Sequence, residues 1–92
     1  MRICVEAAKE RQAYMLEKRS ISISGHRTSI ALEPEFWAVI DEAARDRKLS
    51  LAALIAHIDS ARAEVNAQTG QTRNLASACR IFVLQRLQEA KT

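Results

Sequence analysis

The feature that most constrains this chain is a short alternating segment followed directly by two amphipathic helical patterns. Serine and isoleucine alternate in residues 20–24. In residues 28–32 a second alternation follows, in which Thr28, Ile30 and Leu32 occupy every second position. A period of two is typical of a β-strand with one buried face. The two alternations are out of phase, and the change falls at Gly25-His26, where a bulge or turn is predicted.

The second alternation predicts on which face of the strand each side chain lies. Even-numbered positions are predicted to face a core, and odd-numbered positions are predicted to face outwards, because successive side chains of a strand point to opposite faces. The inward set is Thr28, Ile30 and Leu32, and the outward set is Arg27, Ser29 and Ala31. The segment is therefore expected to have one apolar face and one solvent-facing row.

Two helices are predicted immediately after this segment. The first begins after Glu33, has Pro34 at its first helical position, and ends near Lys48. The second begins after Ser50, a natural N-cap, and runs to about Val65. Each helix carries an apolar stripe on one side, so both are expected to pack against the strand.

A third helix is predicted after a polar loop at residues 66–73. It begins after Asn74 and reaches about Gln88, and residues 81–84 make it apolar on nearly all sides. Such a helix is buried from several directions, which favours a subunit interface. We therefore expect three parts. Residues 1–19 form an N-terminal arm or helix, and residues 20–65 form a strand-helix-helix domain. Residues 66–92 form a loop and a C-terminal helix that packs on the same core.

A single short strand cannot stand alone, because its edges leave backbone donors and acceptors unpaired. We therefore expect it to pair antiparallel with the same strand of a second copy, which gives a two-stranded ribbon above four helices. The predicted fold class is mostly α with one short strand, as an intertwined dimer with an extra C-terminal helix. The predicted dimer core consists of Ile30, Leu32, Phe36, Trp37, Ile40, Leu54, Ile55, Ile58 and Phe82.

Charge is unevenly distributed along the chain. Residues 1–32 hold six basic and three acidic side chains, residues 33–65 hold four basic and seven acidic, and residues 66–92 hold four basic and one acidic. The middle is therefore acidic and both ends are basic. This asymmetry is compatible with an anionic partner such as nucleic acid, but it does not identify one.

Several classes of function lack support in the sequence. No glycine-rich phosphate loop, nucleophile elbow or metalloprotease motif is present, so enzymatic activity is not expected. His57, Asp59 and Cys79 lack metal-ligand spacing, and no metal or cofactor is expected. No apolar run approaches the roughly 18 residues of a membrane helix. The two cysteines lie in unlike contexts, which favours a reducing cytoplasm over a disulfide framework.

Three stretches carry a resemblance to a known family. They are Arg27-Thr-Ser-Ile-Ala-Leu32, then Glu33-Pro-Glu-Phe-Trp37, then Lys48-Leu-Ser-Leu-Ala-Ala-Leu-Ile55. Over about residues 26–62 the sequence resembles a ribbon-helix-helix DNA-binding domain of the Arc and MetJ repressor type. It is most similar to a subgroup in which Gly-His-Arg-Thr-Ser leads the strand. That subgroup also carries a C-terminal segment like Asn74-Leu-Ala-Ser-Ala-Cys-Arg-Ile-Phe-Val-Leu84.

The resemblance implies a homodimeric transcriptional regulator that places its ribbon in the major groove of double-stranded DNA. Arg27 would donate two hydrogen bonds to guanine, which is worth about 1–3 kcal/mol of base discrimination. Ser29 would donate or accept a hydrogen bond, and Ala31 would contact only a thymine methyl group. Phosphate contacts are implied at the start of the second helix, where helix geometry favours anions: Lys48, Ser50, Leu51 and Ala52.

Two other interpretations remain open. In a helix-turn-helix regulator the second helix would read DNA, but residues 51–56 offer no long donor side chain, which disfavours this alternative. In a protein-interaction module such as an antitoxin-like protein, the third helix or residues 1–19 would bind a partner protein. The third helix is also the candidate surface for assembly beyond a dimer.

Overall fold

A computed structural model of the chain describes residues 15–90, and residues 1–14 of the predicted N-terminal arm lie outside this range. Two strands are followed by three helices. This order confirms a mostly helical chain with a two-stranded ribbon, two helices and an added C-terminal helix. The elements are β1 (Glu17–Ile23), β2 (His26–Leu32), α1 (Pro34–Asp46), α2 (Leu51–Thr69) and α3 (Leu75–Ala90).

The ribbon differs from the predicted one because both of its strands belong to the same chain. β1 pairs antiparallel with β2, from Glu17 opposite Leu32 to Ile23 opposite His26. The expected single strand, which needed a second copy to pair with, is therefore corrected to a β-hairpin. Residues 17–19, which the sequence had suggested as the end of an arm, form the start of β1.

A two-residue turn explains the phase change seen in the sequence. Ser24 and Gly25 connect the strands, and both have positive φ, 52° and 83°. Positive φ at both central residues is the requirement of a type I′ hairpin turn, and glycine meets it without steric cost. Because this register places Ile21 opposite Thr28, odd positions of β1 share a face with even positions of β2.

The connection between α1 and α2 is tightly hydrogen-bonded. The amide of Leu49 donates to the carbonyl of Ala44 at 2.9 Å, and the amide of Lys48 donates to that of Arg45 at 3.1 Å. This pair of bonds is a Schellman motif, which normally has glycine where Lys48 stands with φ of 58°. Ser50 then caps α2 by accepting from the amide of Ala53 at 3.0 Å.

One apolar core joins the inner face of the hairpin to the three helices. Of the predicted inward residues of β2, Ile30 and Leu32 are almost fully buried and Thr28 is half-buried, and Ile21 joins them from β1. Of the predicted core residues, Phe36 and Phe82 are half-buried against this core. The others are buried, together with small and apolar residues of the helices: Ile30, Leu32, Trp37, Ile40, Leu54, Ile55 and Ile58 with Ala43, Ala44, Cys79 and Val83. Whether a second copy shares this core stays a prediction.

The N-terminal end of β1 is anchored to α1 by an arginine on its inner face. Arg19 donates to both carboxylate oxygens of Asp41, at 3.0 and 3.2 Å. Its guanidinium also lies 4.4 Å from the ring centroid of Trp37, a cation–π geometry. The indole nitrogen of Trp37 in turn donates to the carbonyl oxygen of Glu17 at 2.8 Å. These contacts hold β1 beside β2 and give Arg19 a structural role.

The C-terminal helix is attached to α1 at two positions. Arg80 donates to the carboxylate of Glu33 at 3.1 and 2.9 Å, and Arg86 pairs with Asp46. Cys79, the residue before Arg80, is fully buried in the core. α2 continues to Thr69, four residues beyond the predicted end, and α3 reaches Ala90.

We expect a disulfide to form within one chain when Ser20 and Ser29 are both replaced by cysteine in a Cys4→Ser background. These residues face each other across the hairpin. They form a non-hydrogen-bonded pair, with Cα atoms about 4.5 Å apart, which suits a disulfide. Non-reducing electrophoresis should show an oxidised monomer. A disulfide-linked dimer as the main product would show instead that the ribbon forms between chains.

We expect Ile30→Asp to unfold the domain, because Ile30 is only 3% exposed and an unpaired charge there cannot be solvated. The loss of stability should be about 3 kcal/mol or more. The matched control is Ser29→Asp, one residue away on the exposed face. Thermal melts followed by circular dichroism should show a cooperative transition for the control only. Equal stability of the two variants would mean that the strand faces are assigned incorrectly.

Candidate nucleic-acid interface

The solvent-facing side of the hairpin, called here the outer face, contains all three predicted base-contacting residues. Arg27 and Ser29 are exposed, and Ala31 is half-buried. Their odd-numbered positions alternate with the inward residues of β2, as predicted from the sequence. The structure therefore places these three residues in one row along β2.

β1 contributes a second row to the outer face, which the sequence analysis missed. Its members are exposed, and each lies directly opposite one residue of the β2 row. The cross-strand pairs are Lys18 with Ala31, Ser20 with Ser29, and Ser22 with Arg27. The outer face of the hairpin thus carries two cations, three hydroxyl groups and one methyl group.

A diagonal hydrogen bond links the two rows. A guanidinium nitrogen of Arg27 donates to the hydroxyl oxygen of Ser20 at 3.2 Å. The remaining donors of a guanidinium are free to bind another acceptor, because it carries five N–H groups in a planar fork. Arg27 is thereby supported over the ribbon while most of its donors point to solvent.

Charges are sorted between the two sides of the hairpin. The outer face has no carboxylate, and within residues 15–90 neither Lys18 nor Arg27 has an acidic group within ion-pair distance. On the inner side, by contrast, Arg19 is paired with Asp41. The two outer cations are therefore available to an anionic partner.

The predicted phosphate-contacting residues come together between α1 and α2. Lys48 and Ser50 are exposed, and the side chains of Leu51 and Ala52 are half-buried at the start of α2. Because the Ser50 hydroxyl is bonded to the amide of Ala53, the amides of Leu51 and Ala52 are left at the open end of the helix. A helix N-terminus with free amides and a nearby cation favours a phosphate oxygen.

The described part of the chain contains no cluster of metal-ligating side chains, and its cysteine, Cys79, is buried. Within residues 15–90, no three His, Cys, Asp or Glu side chains are grouped so that they could hold a metal ion. Burial raises the pKa of the Cys79 thiol to about 11, so it stays protonated at neutral pH and is a poor nucleophile. Across the same residues, no helix has the length and apolarity needed to cross a membrane.

Comparison with known proteins identifies the family. A family model described as a ribbon-helix-helix domain matches residues 16–87, which include the hairpin and nearly all of the three helices. No curated protein and no solved structure gives a significant match to the chain. The matched range begins at the residue before β1 and therefore includes the residues of both strands. The chain belongs to the ribbon-helix-helix domain family.

Proposed function

We propose that this protein binds double-stranded DNA sequence-specifically as a homodimeric transcriptional regulator, of the repressor type. Ribbon-helix-helix domains generally bind DNA and regulate transcription. The observation that best supports the proposal is the outer face of the hairpin, which is exposed, cationic and hydroxyl-rich and carries no carboxylate. We propose that this function operates in the cytoplasm, which agrees with the cysteine usage of the chain.

The ribbon enters the major groove with its outer face towards the bases. Two antiparallel strands lie about 4.8 Å apart, and the major groove of B-DNA is about 12 Å wide. Arg27 donates to the O6 and N7 atoms of a guanine, and Ser29 bonds to a neighbouring base edge. Ala31 contacts a thymine methyl group. Readout from β2 therefore depends mainly on Arg27 and Ser29.

The start of α2 anchors the complex to the DNA backbone. The amides of Leu51 and Ala52 bind a phosphate oxygen, with the charge of Lys48 beside them. Ser50 holds this end of the helix in place through its cap to Ala53. These contacts fix the position of the ribbon but carry no sequence information.

A homodimer agrees with the general behaviour of the family, in which domains dimerise. Because β1 already pairs with β2, the ribbon does not need a second chain to satisfy its backbone hydrogen bonds. The monomer nevertheless leaves apolar side chains of α3 half exposed. Leu84 and Leu87 are 54% and 50% exposed. Such residues support assembly with a second copy through the C-terminal helix.

A second candidate function is binding of a partner protein, as in antitoxin-like proteins. An open groove of about 180 Å³ lies between α2 and α3. Its apolar lining includes Ile58, Val65, Ile81 and Phe82. These apolar residues suit an apolar segment of another protein, and Arg62 and Arg73 add positive charge to the lining.

We expect Arg27→Ala to reduce affinity for a selected duplex by roughly 5- to 150-fold, equivalent to about 1–3 kcal/mol. The matched variant Arg27→Lys keeps the charge but loses the bidentate geometry. It should keep the salt dependence while losing discrimination between bases. Fluorescence anisotropy at several salt concentrations measures both quantities. Unchanged affinity and specificity of Arg27→Ala would refute the proposed DNA-binding mode.

We expect Lys48→Gly to stabilise the fold and weaken DNA binding at the same time. Lys48 has φ of 58°, which is costly for a residue with a Cβ, so glycine should raise the free energy of unfolding by about 0.5–1 kcal/mol. The loss of one phosphate contact should reduce the log–log salt slope by about 0.9. Lys48→Ala is the control: it should lower the slope equally without stabilising the fold. A slope unchanged in both variants would exclude Lys48 from the interface.

A further inference from the structure

We infer that one chain supplies a complete two-stranded DNA-reading ribbon, in which Lys18, Ser20 and Ser22 of β1 contact DNA beside the β2 row. The inference rests on the proposed function and extends its interface. The resemblance from which the site was first predicted implies one reading strand from each of two chains. In this protein the second strand comes from the same chain, with its own solvent-facing residues.

The β1 row and the β2 row lie side by side on the outer face of the hairpin. The three β1 residues lie directly opposite the three β2 residues, and cross-strand neighbours of a sheet share one face. Two strands fit together into a groove about 12 Å wide. When β2 faces the base edges, β1 therefore faces them as well.

The inner and outer side chains of β1 differ in what they do for the fold, and on the outer side the Ser20 hydroxyl already accepts a hydrogen bond from Arg27. On the inner side, Arg19 bonds to Asp41, and Ile21 is buried in the core. On the outer side, Ser20 and Ser22 are exposed and make no contribution to the core. Serine is not among the residues favoured in strands, so the fold gains little from it at these positions. Short hydroxyl side chains allow close approach of the backbone and can donate to or accept from base edges.

The two outer cations lie at opposite ends of the ribbon and on different strands. Lys18 is opposite Ala31, and Arg27 is opposite Ser22, so the two cross-strand pairs are separated by four positions. At about 3.3 Å per residue this separation is roughly 13 Å, or about four base pairs at 3.4 Å each. Lys18 then contacts the phosphate backbone at the end of the ribbon remote from Arg27, while Ser20 lies over the bases between the two cations and Ser22 lies beside Arg27.

The test begins with selection of binding sites from random 20-base-pair duplexes by the full-length protein. Ser20→Ala and Ser22→Ala should each change base preference at positions next to the one read by Arg27. They should also weaken the wild-type selected duplex by about two- to tenfold, as for a lost hydrogen bond. Ser60→Ala, an exposed serine on α2, is the matched control and should leave preference and affinity unchanged.

Lys18 is tested by the salt dependence of binding to the same selected duplex. Lys18→Ala should lower affinity for all sequences alike and reduce the log–log salt slope by about 0.9, the contribution of one phosphate contact. Lys18→Arg keeps the charge and should preserve the slope. Circular dichroism melts should match the wild type for all these exposed positions.

Arg27→Ala, measured in the same experiments, distinguishes a failure of the single-chain ribbon from a failure of the proposed DNA-binding function. If Arg27→Ala loses specific binding while the β1 variants retain wild-type preference, affinity and salt slope, the single-chain ribbon is refuted and the proposed function stands. If Arg27→Ala also binds like the wild type, the proposed function itself fails. Altered preference in Ser22→Ala, which leaves the bond between Arg27 and Ser20 in place, together with a lower slope for Lys18→Ala supports the inference.

Discussion

The structure depends on the pairing of β1 with β2 inside one chain. The two-residue turn at Ser24 and Gly25 sets the register, and the register decides which side chains enter the core. Arg19, held by Asp41 and Trp37, keeps the free end of β1 against α1. Because a one-residue slip would exchange the two faces of a strand, this register also determines which residues can meet a partner.

The cations of the protein divide into those paired with carboxylates and those on the outer face of the hairpin. Several arginines are neutralised by carboxylates on neighbouring elements, as Arg80 is by Glu33. The exposed cations of the hairpin have no such partner within the described residues, although an opposite charge there would cost the fold little. A surface kept free of carboxylates is what a polyanionic partner requires. The groove between α2 and α3 has a mostly apolar lining, and we propose it as a surface for a partner protein.

Much of the fold and of the β2 row could be predicted from the sequence, because periodicity and capping residues are local signals. Pro34 and Ser50 mark helix starts, and the alternation around Ile30 gives the orientation of Arg27 and Ser29. Of β1, the alternation in residues 20–24 was recognised, but residues 17–19 were missed because they are all charged and extend a helical pattern. Their strand conformation depends on Asp41, 22 positions from Arg19, a contact that no local pattern reveals. The out-of-phase alternation around Gly25 was the available signal for a hairpin.

The pairing of β1 with β2 in one chain is tested most directly by nuclear Overhauser effects in a sample that mixes isotope-labelled and unlabelled protein. Across the hairpin, the Hα atoms of Ser20 and Ser29 form a close non-hydrogen-bonded pair. We predict that their cross-peak is seen within labelled chains and is absent from the spectrum that selects contacts between labelled and unlabelled chains. A cross-peak found only between chains would contradict the account.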